Sequence, residues 1–366
     1  MILAKIETFA LRIPFKKGIQ SDTSAWGDRN SPAADSLLVK VTTDQGLEGW
    51  GEAFGFRAVA SAKLAVDDLI APICIGQDAT RIAPLMLEVQ KKLHVFGRGG
   101  ALSFGISAVD IALWDIAAKA ANAPLCQLIG GGVRDLVCHA SLVRFSDPAL
   151  VRANVRRAID LGFRSLKLYE IALPASRAAR EEAGPDVELM LDVNCAWTLL
   201  EARARAQELK EISLKWLKEP LWPPENFDGL AELSRTSGIP IAAGENVYTL
   251  MDFERLLVAR AVDFVQPSPA KMGGVSELRK VFPLAATHNI PAMLHSFYDG
   301  PGLLAAIHAT AALGTADSMT EWRWFDLQAP IYGDALRPKG GRISVPQGSR
   351  IGIDPDPDVI RVYRWK

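Results

Sequence analysis

Apolar and polar residues alternate from position 2 to 14, and a β-branched, apolar run at 36–43 leads into Asp44-Gln45-Gly46, a turn sequence. A further strand at 47–52 completes the pattern of a small antiparallel meander. From Val59 to Ala121 the spacing becomes helical, most clearly in Ser107-Ala108-Val109-Asp110-Ile111-Ala112-Leu113-Trp114-Asp115-Ile116-Ala117. Leu128-Ile129-Gly130-Gly131-Gly132 closes this block and reads as a flexible joint. Residues 1–125 are therefore expected to form an α+β domain.

Beyond the glycines, short apolar strands alternate with amphipathic helices, the texture of stacked βα units and a parallel sheet. One unit is punctuated clearly: Asp147 is placed to cap a helix with Pro148 at its first position, which ends at Gly162. Strands are expected at 163–168, 187–193, 216–219, 241–243, 264–266, 292–294 and 319–320. Their ends recur about every 25 residues, one strand and one helix of a (β/α) barrel. The barrel is assigned to 126–328. The Gly- and Pro-rich tail, 329–366, loses the rhythm and is expected to return to the first domain. The fold class is thus α/β: a modified (β/α) TIM barrel with an N-terminal α+β capping domain completed by the tail.

Lys167, Asp192, Glu219, Glu245, Ser268, His295 and Glu321 close successive predicted strands, on the face where barrels carry their chemistry. Period-two geometry pairs Lys167 with Tyr169, Asp192 with Asn194, and Gln266 with Ser268 on the inward side. Three converging carboxylates repel unless a cation neutralises them, and oxygen-only ligands suit Mg²⁺, with Mn²⁺ as the alternative. Asp192, Glu219 and Glu245 are the expected ligands. Taken singly, each acid would more simply pair with a Lys or Arg at the rim. A metal that also binds a substrate carboxylate stabilises the enediolate formed when the α-proton leaves. Lys167 and His295, from opposite sides, would address the two faces of that intermediate. Glu321, if burial keeps it protonated, would donate a hydrogen bond to a carboxylate oxygen.

Composition narrows the class. The formal net charge is −1, so there is no basic field for nucleic acid. No signal peptide is read at the N-terminus, and no uninterrupted apolar run approaches the roughly 20 residues of a membrane span, the nearest being 303–313. Four scattered cysteines without a C-x-x-C pair fit reduced thiols in the cytoplasm. Cys195 follows Asn194 and would point away from the site.

Gly51-Glu52, the helix around Ser107 to Asp115, Leu128-Ile129-Gly130-Gly131, Asp192-Val193-Asn194, Glu219-Pro220, Gly244-Glu245, Gly273-Gly274 and His295 together resemble the mandelate racemase and muconate-lactonizing branch of the enolase superfamily. The resemblance spans essentially the whole chain. It implies Mg²⁺ on Asp192, Glu219 and Glu245 and a small carboxylate substrate held between barrel mouth and cap loops near Gly18 to Trp26 and Phe54 to Arg57. Trp26 and Phe54 are expected to line the pocket. Members with a mandelate-racemase type site carry Lys-x-Lys on the second barrel strand, where this chain has Lys167-Leu168-Tyr169. They pair the histidine with an Asp, and counting back from Gly273 puts Ser268 there. The offset of Lys271 does not match the base of the dipeptide-epimerase members.

These departures favour dehydration of a sugar acid, which needs one base for the α-proton and one acid for the departing β-hydroxyl, roles that one group acting in sequence on one face can also fill. His295 is the expected acid or base and Tyr169 its complement, its phenol lowered by Lys167 and the metal. Lys167 is placed near the substrate carboxylate, with Asn194, Ser268 and Glu321 around it. The alternatives are a racemase or epimerase, a lactone cycloisomerase, or a non-catalytic metal-dependent protein that binds acids. A homo-oligomer is expected, with neither nucleic acid nor membrane as partner.

Overall fold

The computed structural model describes residues 1–15, 33–348 and 351–365. Strands β1 (Leu3–Pro14), β2 (Ala33–Thr43) and β3 (Glu48–Ala53) form the antiparallel meander, with Leu38 opposite Phe9 on one side and Glu52 on the other. Its second turn closes because Gly46 takes φ +77° and donates its N–H to Thr43 O at 3.0 Å. The helix Gly100–Ala120 lies very close to this sheet. A Cβ at Gly49 would sit 2.1 Å from Ala112 O, and one at Gly51 would sit 1.8 Å from Ala108 O. Glycines two apart on a strand thus meet alanines four apart on a helix, and close approach is what requires glycine there.

Among the described residues this helix, at 21 residues, is long and apolar enough to cross a bilayer by length and composition alone, although Asp110, Asp115 and Lys119 interrupt its apolar run. Within the protein 83% of its most apolar window is buried, so it serves as a core helix.

The second sheet is parallel and curls in the order β10 (Met319–Arg323), β4 (Asp135–Ser141), β5 (Ser165–Leu168), β6 (Glu188–Asp192), β7 (Leu214–Lys218), β8 (Ile241–Ala243), β9 (Phe264–Val265). Ala292, in parallel register with Val265, supplies the remaining position of the barrel. Helices follow in turn, from Pro148–Asp160, capped as expected by Asp147 onto Ala149 N at 2.8 Å, to Pro301–Leu313. Strand β4 is absent from the sequence reading. It starts at an exposed aspartate, and its apolar run, Leu136-Val137-Cys138, is cut short by His139.

The tail pairs β11 (Arg342–Ser344) antiparallel to β4, then reaches the meander, where Trp365 N donates to Ala10 O at 2.8 Å. The glycine run at 130–132 is no free joint: a Cβ at Gly131 would lie 2.2 Å from Ala312 Cα.

Acidic side chains from the N-terminal region stitch it to the barrel. Glu52 Oε2 accepts from Gly300 N at 3.0 Å and Gly302 N at 2.9 Å, at the start of helix Pro301–Leu313. Asp110 Oδ1 accepts from Ser276 N at 3.0 Å, at the start of helix Gly274–Thr287. Neither helix has a side-chain cap from its own N-cap residue, so an acid from another part of the chain meets its free N–H groups and positive dipole end. Burial pushes the carboxyls of Glu52 and Asp110 up to about 7.

Candidate active site

The barrel interior has an apolar floor of Met190, Trp216, Ala242, Met293 and Met319, all buried, with Phe264 packed against it. Two residues further along, on every floor strand but that of Ala242, the interior turns polar. On β6 the step from Met190 leads to Asp192, and on β7 the step from Trp216 leads to Lys218. Lys218, not Glu219, is therefore the inward group at the end of β7, directly beside Asp192 in the sheet register.

The consequence is an alternating belt of charges around the mouth. Glu321 Oε1 lies 2.5 Å from Lys167 Nζ, and Lys167 Nζ lies 3.4 Å from Asp192 Oδ2. That same oxygen is 2.8 Å from Lys218 Nζ, which also contacts Glu245 Oε2. The other oxygen of Glu245 is 3.8 Å from Lys271 Nζ. Three ammonium groups thus separate three carboxylates, each side chain at most 13% exposed.

Electrostatics follow this order. Burial raises the cost of ionising Glu321, but Lys167, His295 and His139 together outweigh it and hold the carboxyl below the usual range. Glu245 is held far down in the same way, against burial, by Lys218, His295 and Lys271. Burial also works against the Lys218 and Lys167 ammoniums, yet neighbouring acids keep both above the ordinary lysine value. Glu321 is therefore ionised and accepts hydrogen bonds, from Ser141 Oγ at 2.7 Å and Ser296 N at 2.8 Å, which corrects its expected role as a protonated donor. Lys271, set aside on sequence, belongs to the site: burial lowers its pKa, and its ammonium sits 4.8 Å from the centre of the Phe54 ring. Only its position two residues before Gly273-Gly274 marked it.

Glu219 takes another part. Its Oε1 accepts from Gly244 N at 2.9 Å and Glu245 N at 3.2 Å, and its Oε2 faces Cys195 Sγ at 3.7 Å. With both oxygens engaged, it organises the loop after β8. The expected ion site is accordingly not assembled: among the described residues no three His, Cys, Asp or Glu side chains are arranged to hold a metal, and the Lys218 ammonium stands between two of the three proposed ligands. At 4 Å and an effective dielectric of 20, two unit charges interact by about 4 kcal/mol, so a divalent ion beside Lys218 would meet a repulsion of about twice that. As they stand, these residues do not fit Mg²⁺.

His295 has gained a partner that the sequence did not show. Its Nδ1 is 3.0 Å from Ser268 Oγ, and that hydroxyl is hydrogen-bonded to Tyr298 Oη. Its Nε2 lies 3.4 Å from Glu245 Oε2. Burial lowers the imidazole to about 4, so it is neutral at pH 7. Ser268, 1% exposed, is thus in contact with the imidazole. Tyr298, three residues after the histidine, is the missed member.

Tyr169 lies 3.4 Å from Ser141 Oγ and 4.9 Å, ring centre to Nζ, from Lys167. Burial and the nearby Glu321 raise its phenol well above the ordinary value, the reverse of the expected lowering. Asn194, at φ +50°, is exposed at the rim and donates its N–H to Asp192 Oδ1 at 3.2 Å. Phe54 is half-buried over the site, its ring 6.4 Å from that of His295. Trp26 lies outside the described residues. Burial raises the Cys195 thiol, which keeps it unreactive.

A neutral imidazole, three ammoniums and a capping aromatic at the C-terminal mouth of a modified (β/α) barrel define a capped barrel enzyme that handles a small anionic molecule. Comparison with known proteins makes this specific. Residues 150–359 match the enolase C-terminal domain-like family, and residues 29–130 match the mandelate racemase / muconate lactonizing enzyme N-terminal domain. The chain belongs to that branch of the enolase superfamily and is an enzyme.

It is 30% identical over 365 residues to a 3,6-anhydro-alpha-L-galactonate cycloisomerase of Streptomyces coelicolor, covering 96% of each chain. It is 28% identical over 339 residues to an arabinonate dehydratase of Saccharolobus solfataricus, covering 90% of this chain and 91% of that one. A racemase from Streptomyces coelicolor, solved with bound magnesium, superposes with a TM-score of 0.87 at 26% identity over 100% of both chains. Members of the superfamily bind Mg²⁺.

Proposed function

We propose that the barrel mouth takes the proton α to the carboxylate of an acid sugar and expels the β-hydroxyl from the same face, giving a 2-keto-3-deoxy acid. One observation carries this reading: the neutral His295, held between Glu245 and the Ser268–Tyr298 hydroxyl pair. With Nδ1–H donating to Ser268, Nε2 accepts the α-proton as the Cα–H bond breaks, which leaves an imidazolium facing Glu245. Still donating Nδ1–H to Ser268, the imidazolium returns that proton from Nε2 to the departing β-hydroxyl, which leaves as water. One group then serves as base and acid in turn.

The charge that develops on the substrate carboxylate during proton removal falls among Lys167, Lys218 and Lys271, fixed cations in a site shielded from water. Lys167 stays protonated beside Glu321 and Asp192, so it stabilises charge and does not abstract the proton. No step runs through a divalent ion. The similarity to a dehydratase and to a cycloisomerase supports removal of an α-proton as the shared step, and the cycloisomerase relative keeps an internal addition, without loss of water, as the second reading.

Wild type incubated with a panel of acid sugars should yield a product trapped by semicarbazide, and His295→Asn should lose on the order of 10²–10⁴-fold in kcat with its fold intact. Full activity in that variant would sink the assignment. Exchange of an α-hydrogen from D₂O with no water lost would move the reading to cycloisomerisation. The four cysteines, all unpaired, are consistent with a reducing compartment, and we place the enzyme in the cytoplasm.

A further inference from the structure

We infer that Lys218 is a resident cation that does the work of a divalent ion in this barrel, so that the enzyme acts without a metal. This role for the lysine in turnover rests on the acid-sugar reading above, whereas the absence of ion binding stands by itself.

Four observations converge. Lys218 is 0% exposed and projects inward from the end of β7, next to Asp192 in register, so the backbone itself delivers the ammonium to the centre of the acids. Its Nζ is shared between Asp192 Oδ2 and Glu245 Oε2, one oxygen from each of two carboxylates, as a bridging cation would be. Asp192 Oδ2 also has Lys167 at 3.4 Å on its other side, so the oxygen that would face an ion already lies between two ammoniums. Glu219, the third acid, has turned both oxygens to Gly244 N, Glu245 N and Cys195.

Retracting Lys218 to admit an ion would strand a buried ammonium in a layer whose floor is Trp216 and Met190. The belt is balanced as it stands, with three ammoniums and three carboxylates, and a divalent ion would unbalance it. A lysine delivers one positive charge as a hydrogen-bond donor. It needs no open coordination position and no bound water.

Mn²⁺, whose paramagnetic signal falls on binding, tests this directly. Titrated with Mn²⁺ and followed by electron paramagnetic resonance, wild type should show no saturable binding at the mouth, and turnover should survive exhaustive dialysis against EDTA. Lys218→Glu, which replaces the cation by a carboxylate between those of Asp192 and Glu245, should bind one Mn²⁺ ion and show a thermal stability that rises with added Mn²⁺. Stoichiometric binding by wild type that Asp192→Asn removes would overturn the inference, and so would activity lost to EDTA and restored by Mg²⁺. If Lys218→Glu does not fold, the wild-type titration and dialysis still decide. Wild type that binds no Mn²⁺ and turns over no acid sugar would refute the proposed reaction while leaving the metal-free site standing; Mn²⁺ binding with dehydration would do the opposite.

Discussion

Glu52 and Asp110, where the N-terminal region meets the barrel, and Glu245 and Glu321, at the barrel mouth, are all carboxyls withdrawn from water, yet the seam pair is pushed up to about 7 and the mouth pair is held low. The seam acids face backbone N–H groups at helix starts, partial charges that only partly repay desolvation. The mouth acids face whole ammonium charges at contact distance. Burial alone therefore does not set the state of an acid; the kind of donor beside it does. Two jobs follow from the one residue type: neutral-leaning clasps that hold the cap, and ionised partners that keep lysines charged and in place.

The largest expected effect comes from removing the cation that separates the mouth acids. Lys218→Met leaves Asp192 and Glu245 facing each other without it and should cost roughly 3–5 kcal/mol of stability, read from urea denaturation. An unchanged midpoint would show that the mouth acids tolerate burial as the seam acids do, and the contrast would collapse. Next comes the clasp itself. Gly274 has φ +76°, and a Cβ there would lie 2.2 Å from Asp110 Oδ1, so Gly274→Ala should cost about 1–3 kcal/mol in the same assay through overpacking.

The smallest effect is a slope. A carboxyl at about 7 in the fold and 4.5 outside it keeps its proton in the folded chain over that interval. Its stabilisation is complete below about 4.5 and is lost as pH rises through 7. Glu52→Gln should therefore flatten the decline in stability between those pH values, by at most about 1.4 kcal/mol per pH unit. The sign reverses for Glu321, whose lowered pKa contributes stability above the usual carboxylate range and loses it as pH falls below. An identical slope in the Gln variant would mean that Glu52 is ionised at the seam.

Much of this was legible in the chain before its structure. The alternation of apolar strands and amphipathic helices pointed to the barrel, and polar residues at strand ends pointed to its mouth. Lys167, Asp192, Glu245, His295 and Glu321 do meet there. What escaped is physical in each case. Attention to carboxylates favoured Glu219, although counting in twos from Trp216, a floor residue, lands on Lys218. Glu321 reads as protonated only while burial is weighed without Lys167, a partner from a strand more than 150 residues away in sequence. Tyr298 lies in the loop after His295, where period and propensity are silent, and only the folded loop brings its hydroxyl to Ser268.

Lysine and glutamate codons differ at a single base. If Lys218 is the cation of this site, its codon is a place where a barrel of this family could exchange a captured ion for a built-in one, or take the ion back, in one mutational step. Such a change would also alter the enzyme's dependence on its surroundings. A metal-bound site falters where free magnesium is scarce or where abundant phosphorylated metabolites sequester it, while a site neutralised from within its own backbone carries its counter-charge wherever the chain is made.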